Sequence, residues 1–239
     1  MKVSLTEKPK NPTIIEGFPG FGLVSTIATE FLVKHLNAKP IGKMWSEEML
    51  PIAAIHDFKI MDPIGIFYDK KTNIILIHAL SNIKNREWDI AESIKELGKM
   101  LNAKEIITLE GVGAAQPTLS TYYYTMDQKR KTKFESIGLK PLNEGIVMGV
   151  TGALLLKEKD VTSIFVESQM GLADSKGAAK IIEVLDRYLG LKVDYKPLLK
   201  AAEEFENKLK TMMTKNKEVQ KLQTPDKEAK FDQDTDYFG

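Results

Sequence analysis

Residues 64–80 read IGIFYDKKTNIILIHAL, and their pattern decides the fold. Ile64, Ile66 and Tyr68 alternate, Asp69-Lys70-Lys71-Thr72-Asn73 supplies a turn, and Ile74-Ile75-Leu76-Ile77 follows with no alternation. Two strand-like runs around a polar turn predict a β-hairpin. A strand with one wet face alternates, whereas a continuous apolar strand is covered on both faces. Two dry faces need two covering layers, which points to a three-layer α/β domain.

Upstream, Thr13-Ile14-Ile15 is short and β-branched, and Gly17, Pro19, Gly20 and Gly22 then break the chain. Val24, Ile27, Ala28, Phe31 and Leu32 recur at helical spacing. Downstream, residues 86–101 predict an amphipathic helix with Trp88, Ala91, Ile94, Leu97 and Leu101 on one face. Ile106 to Leu109 and Val161 to Val166 read as buried strands, and Tyr122-Tyr123-Tyr124 as a strand or ordered loop. Ile146-Val147-Met148 leads through Gly149 and Gly152 to a short apolar segment, Ala153 to Leu156. Ala178, Ile181, Ile182, Leu185 and Leu189 mark a helix that stops at Gly190, a residue suited to the C-cap. Strands and helices alternate, so residues 1–195 are expected to form an α/β core around a mixed, largely parallel central sheet.

Residues 196–223 have another character. Leu198, Ala202, Phe205, Leu209, Met212, Asn216 and Val219 are spaced alternately four and three apart, the a/d seam of a coiled coil with one polar member. Such a helix either packs on its own domain or leaves the body to meet a partner, with Asn216 setting register. Residues 224–239, TPDKEAKFDQDTDYFG, carry five acids against two lysines, a net −3 within a chain of +1, so the rest carries +4. This segment has too little apolar content to offset the entropy of ordering and is expected to be flexible. It ends in Tyr237-Phe238-Gly239, which reads as a docking peptide or as a frayed terminus.

Composition removes many chemistries. The 239 residues include no cysteine and only three histidines, His35, His56 and His78, which excludes thiol catalysis, cysteine zinc sites and histidine-rich metal sites. Arginine occurs only at Arg86, Arg130 and Arg187, so a phosphate site built on bidentate arginines is not expected. A net charge of +1 does not support nucleic-acid binding by bulk electrostatics. The start, MKVSLTEKPK, has no apolar core of a signal peptide, and no run reaches the ~18 apolar residues of a membrane span. A cytoplasmic protein is expected.

Three predicted strands end in glutamate, at Glu16, Glu110 and Glu167, and a fourth ends at His78. If these strands are parallel, all four groups lie at the carboxyl edge of one sheet, where open α/β folds bind ligands. Such a cleft could hold a divalent metal or perform acid–base chemistry on a small, nucleoside-type molecule. Alternatively, the carboxylates accept hydrogen bonds from the amides of the glycine loops that follow. The loop GFPGFG at 17–22 opens a helix but lacks both the GxGxxG spacing and the lysine of a phosphate loop, so it reads chiefly as a tight turn. No GxSxG nucleophile elbow is present.

Taken in order, GFPGFGLV at 17–24, GIVMGVTGALL at 145–155, Glu167-Ser168 with Ala173-Asp174 and Ala178-Ala179, and LGLKVD at 189–194 resemble the proteasome assembly chaperone-2 family, and within it the archaeal homologues. The resemblance spans about residues 12–205 and implies a phosphorylase-like α/β core without catalytic activity or cofactor. It implies homo-oligomers, tetrameric or pentameric, and partners among proteasome α subunits or other family members. It also implies a C-terminal docking motif of a hydrophobic residue, a tyrosine and a final residue. Tyr237 and Gly239 fit its outer places, and Phe238 departs from the tyrosine by one hydroxyl. Losing one buried hydrogen bond costs about 1–3 kcal/mol.

Overall fold

The computed structural model describes residues 1–49, 53–56, 58–80, 85–114, 118–168, 173–197 and 199–200. Met1–Leu199 form one compact unit. The heptad positions Phe205, Leu209, Met212, Asn216 and Val219, and the terminal Tyr237, Phe238 and Gly239, lie outside the described residues.

The hairpin at 64–80 forms as β6 (Ile64–Asp69) and β7 (Ile74–Ala79), antiparallel with Ile66 opposite Ile77. Every residue of β7 is buried, as its continuous apolar run requires. Beside β7 lies β2 (Thr13–Gly17), then β8 (Glu105–Gly113), then β11 (Val161–Ser168), each parallel to its neighbour. These four parallel strands are the middle of a nine-stranded sheet. On one flank, β6 is followed by β3 (Lys39–Trp45) and β1 (Lys2–Leu5), both antiparallel. On the other stand β9 (Thr121–Tyr124), antiparallel to β11, and the short β10 (Lys140–Pro141). Among the described residues, β4 (Ala54–His56) and β5 (Lys59–Met61) pair with each other as a separate two-stranded hairpin.

Helices α1 (Val24–His35) and α5 (Ser175–Leu189) cover one face, burying Ile15, Leu76, Leu109 and Ile164 against Val24, Leu32, Ile182 and Leu185. The 9-residue α3 (Gln128–Ser136) adds Phe134, stacked between Tyr123 and Tyr188. Helices α2 (Glu87–Leu101) and α4 (Gly149–Lys157) cover the other face, where Ile14, Ile75, Ile77 and Ile106 meet Ile90, Ile94 and Leu154. The three layers and the mixed sheet follow directly from the unalternated strands.

Some expectations need adjustment. Trp88, expected on the same face as Ala91, Ile94, Leu97 and Leu101, is 54% exposed. The core face runs instead through Ile90, Ala91, Ile94, Leu97 and Leu101. Trp88 lies in the first turn, beyond the rim of the core, with Lys157 Nζ 5.9 Å from its ring centre. The apolar segment after Gly149 is a helix. Gly190 does close α5, in the left-handed conformation at φ 71°.

Candidate functional site

Because β7, β2, β8 and β11 run parallel, their carboxyl ends meet at one edge. His78, Glu16, Glu110 and Glu167 all lie there, but register and side-chain parity part them. Glu16 pairs with Ile77, and His78 pairs with the next residue, Gly17. That offset of one residue turns His78 to the opposite face, since successive side chains alternate. On that face His78 Nδ1 lies 3.0 Å from Thr29 Oγ1, which donates to Ser25 O at 2.9 Å. That contact holds the imidazole against α1. Burial holds the imidazole below its ordinary pKa, so it is neutral at pH 7.

Glu16 and Glu110 come together beneath α4. Thr151 Oγ1 lies 3.1 Å from Glu16 Oε1 and 3.2 Å from Glu110 Oε2, and all three side chains are buried. Burial first, and then the neighbouring Glu110 charge, pushes Glu16 up to about 8. Burial pushes Glu110 up to about 8 as well. The hydrogen-bond count agrees with that chemistry. A hydroxyl has one hydrogen, so Thr151 donates to one carboxyl at most, and the other contact needs a carboxyl O–H as donor. At neutral pH the pair is therefore a largely uncharged, hydrogen-bonded unit.

The glycine loop seals this unit. Gly20 packs so closely that a Cβ there would lie 1.9 Å from Glu110 Oε1. Gly111 N donates to Glu110 Oε1 at 3.2 Å, and a Cβ on Gly111 would meet Phe21 O at 2.3 Å. Gly22 adopts φ 63° with its α-carbon against Ser168, and Phe18 is buried with its carbonyl accepting from Ser25 Oγ. A loop packed this tightly is a turn filled by its own aromatics. Among the described residues, Glu16 Oε2 and Ser168 Oγ are buried without a hydrogen-bond partner.

Glu167 takes a third environment. It accepts from Thr118 N at 2.8 Å, Thr118 Oγ1 at 2.6 Å and Tyr122 Oη at 2.8 Å. Those bonds, led by the Thr118 hydroxyl, hold it below the usual carboxylate range. The four strand-end groups thus form three separate hydrogen-bonded sites. Among the described residues, no group of three or more acidic or histidine side chains could hold a metal ion, and no helix is long and apolar enough to cross a membrane.

Sequence reasoning missed a second buried centre at the amino edge. Glu105, at the start of β8, accepts from Tyr188 Oη at 3.0 Å and from Thr162 Oγ1, and lies 3.3 Å from Arg130 Nε. Arg130 also pairs with Asp160, and Asp127 caps α3 by accepting from Arg130 N at 2.8 Å. The local signal available was Asp127 as an N-cap residue. The pairing itself joins positions 25 and more residues apart and leaves no local pattern.

The overall fold is shared with known structures. The PAC2 family profile matches residues 14–213. The chain is 30% identical over 209 residues to an uncharacterized protein of Methanocaldococcus jannaschii, covering 85% of this chain and 86% of that one. It is similar to the crystal structure of Pyrococcus furiosus PbaA, described as an archaeal homolog of proteasome-assembly chaperone. That similarity has a TM-score of 0.78 and 31% identity over 92% of this chain and 94% of the other. It shares the fold of Pyrococcus furiosus PbaB, described as an archaeal proteasome activator, with a TM-score of 0.73 and 22% identity over 89% and 98% of the two chains.

Proposed function

The chain belongs to the PAC2 family, and on that premise we propose that it is a non-enzymatic, homo-oligomeric scaffold of the proteasome-assembly-chaperone kind. The observation that carries this reading is the similarity to PbaA, which extends through nearly the whole α/β core. The state of the carboxyl edge supports it. Thr151 bridges Glu16 and Glu110 in a buried contact packed against Gly20, an arrangement suited to holding a loop rather than to turning over a substrate.

In this proposal the core displays a helix at 196–223, whose seam residues Phe205, Leu209, Met212, Asn216 and Val219 contact other protomers. The segment 224–239 engages proteasome α subunits, or a related partner, through Tyr237, Phe238 and Gly239. Aromatic side chains would supply buried area in such a contact. Several tails presented by one oligomer would raise the effective concentration of a contact that lacks the tyrosine hydroxyl. A variant without residues 237–239 tests the mechanism by pull-down on archaeal proteasome α subunits. Binding is expected to be lost while the oligomer keeps its size; equal binding by the truncated chain rules out the tail.

A further inference from the structure

We propose that a cleft at the amino edge of the sheet, between the end of α2 and the turn from α4 to β11, binds a small zwitterion of the α-amino-acid class. The proposal goes beyond the chaperone reading and does not rest on it.

Three chain segments build the cleft. The last turns of α2 give one wall, the turn at 158–160 gives the other, and the entry to β8, Ala103 to Ile106, lies between them. The two walls are neighbours because β8 and β11 pair, with Ile106 opposite Val161. Gly98 brings α2 down onto the sheet, since a Cβ there would lie 3.0 Å from Ile106 Cδ1. Gly98, Ala103 and Ile106 therefore give the floor an apolar strip. The cleft has a volume of about 210 Å³. Sites for drug-sized ligands take roughly 300–1,000 Å³, so this one suits a smaller molecule.

Its charges are placed for a ligand that carries both signs. Lys95, Lys99 and Lys104 line the α2 side, and Glu158 and Asp160 line the other. Lys95 is held by Glu92, and Asp160 by Arg130. Among the described residues, no ion pair engages Lys99, Lys104 or Glu158. Two carbonyls at the end of α2 are already taken, because Gly98 O accepts from Ala103 N at 2.8 Å and Lys99 O from Asn102 N at 3.1 Å. Glu105 is likewise committed to Arg130, Thr162 and Tyr188. Two cations and one anion are thus left open on the two walls, beyond ion-pair distance of each other.

A ligand of one sign would meet an uncompensated like charge on one wall. A dipolar one answers both, its carboxylate paired with Lys99 and Lys104 and its ammonium with Glu158. Such charge-assisted hydrogen bonds are roughly twice as strong as neutral ones. The short carbon skeleton between the two groups then lies on the apolar floor.

The experiment is calorimetric titration of the full chain with L-alanine, acetate and ethylammonium. L-Alanine is expected to bind saturably, about tenfold or more tighter than either single-charge probe. Glu158→Gln and Lys104→Met should each weaken L-alanine about tenfold or more. Glutamine keeps the acceptor for Asp160 N, and Lys104 is exposed, so circular dichroism of both variants should match the parent. A control, Lys129→Met, removes an exposed lysine of α3 outside the cleft and should bind as the parent does. No binding of L-alanine up to ~50 mM overturns the proposal. Equal binding by acetate or by ethylammonium overturns it too, as does unchanged binding by either cleft variant or equal loss in the control. The pull-down on α subunits reads the tail and not this cleft, so either reading can fail alone.

Discussion

At the amino end of β8, Glu105 is buried beside Arg130, and at the carboxyl end of the same strand Glu110 is buried beside a second carboxyl, Glu16. The two ends handle buried acids in opposite ways. At the amino end a guanidinium, a tyrosine hydroxyl and a threonine hydroxyl counter the desolvation that raises Glu105. At the carboxyl end, with no cation beside the pair among the described residues, proton uptake removes the charge. The first solution is a closed polar network that locks α3, α5 and β8 together. The second holds a glycine loop in place with largely uncharged groups.

Breaking the amino-end network should have the largest effect. Arg130→Met leaves Glu105 buried without its cation, a loss of about 3 kcal/mol by urea denaturation at neutral pH. Glu105→Gln should also destabilise, because it removes the buried charge that faces Arg130 Nε and leaves the guanidinium with Asp160 alone as its carboxylate partner. Glu16→Gln should do the reverse once the pH is raised. Glu16 and Glu110 titrate near 8 in the fold against an ordinary value of 4.5. Their folded state thus binds protons that the unfolded state has released. Their stabilisation is complete below 4.5 and is lost as pH rises through 8. Denaturation series from pH 5 to 9 should therefore show the parent weakening steadily and Glu16→Gln weakening less. A parent stability that rises over this window would contradict the neutral pair. The smallest effect is expected for Thr151→Val, which keeps the side-chain shape but removes the shared hydroxyl. About 1–2 kcal/mol should be lost in thermal or urea unfolding, with little change in pH slope.

Much of this architecture was legible because it is written in local periodicity. The unalternated run at 74–77 announced a doubly covered strand, and the spacing from Ala178 to Leu189 with Gly190 announced α5. Edge elements were harder to see. The strand Lys39–Trp45 contains Pro40 and Gly42 and a register shift between them, which blurs its alternation. Helix α3, QKRKTKFES, buries only Phe134, so it lacks an apolar stripe. Strand-end chemistry could be placed at one edge from sequence, but not on one face. Whether His78 joins Glu16 depends on a one-residue offset between β2 and β7, and that offset is fixed by pairing rather than by local pattern. The Glu105–Arg130–Tyr188 network was illegible for the related reason that its members meet only in the folded chain.

Native mass spectrometry of the full chain, alone and mixed with archaeal proteasome α subunits, tests the proposed role most directly. The expected result is a multimer of the 26.8 kDa chain that carries α subunits when they are added and loses them when residues 237–239 are deleted. A single-chain mass under all conditions, with α subunits flying separately, would contradict it.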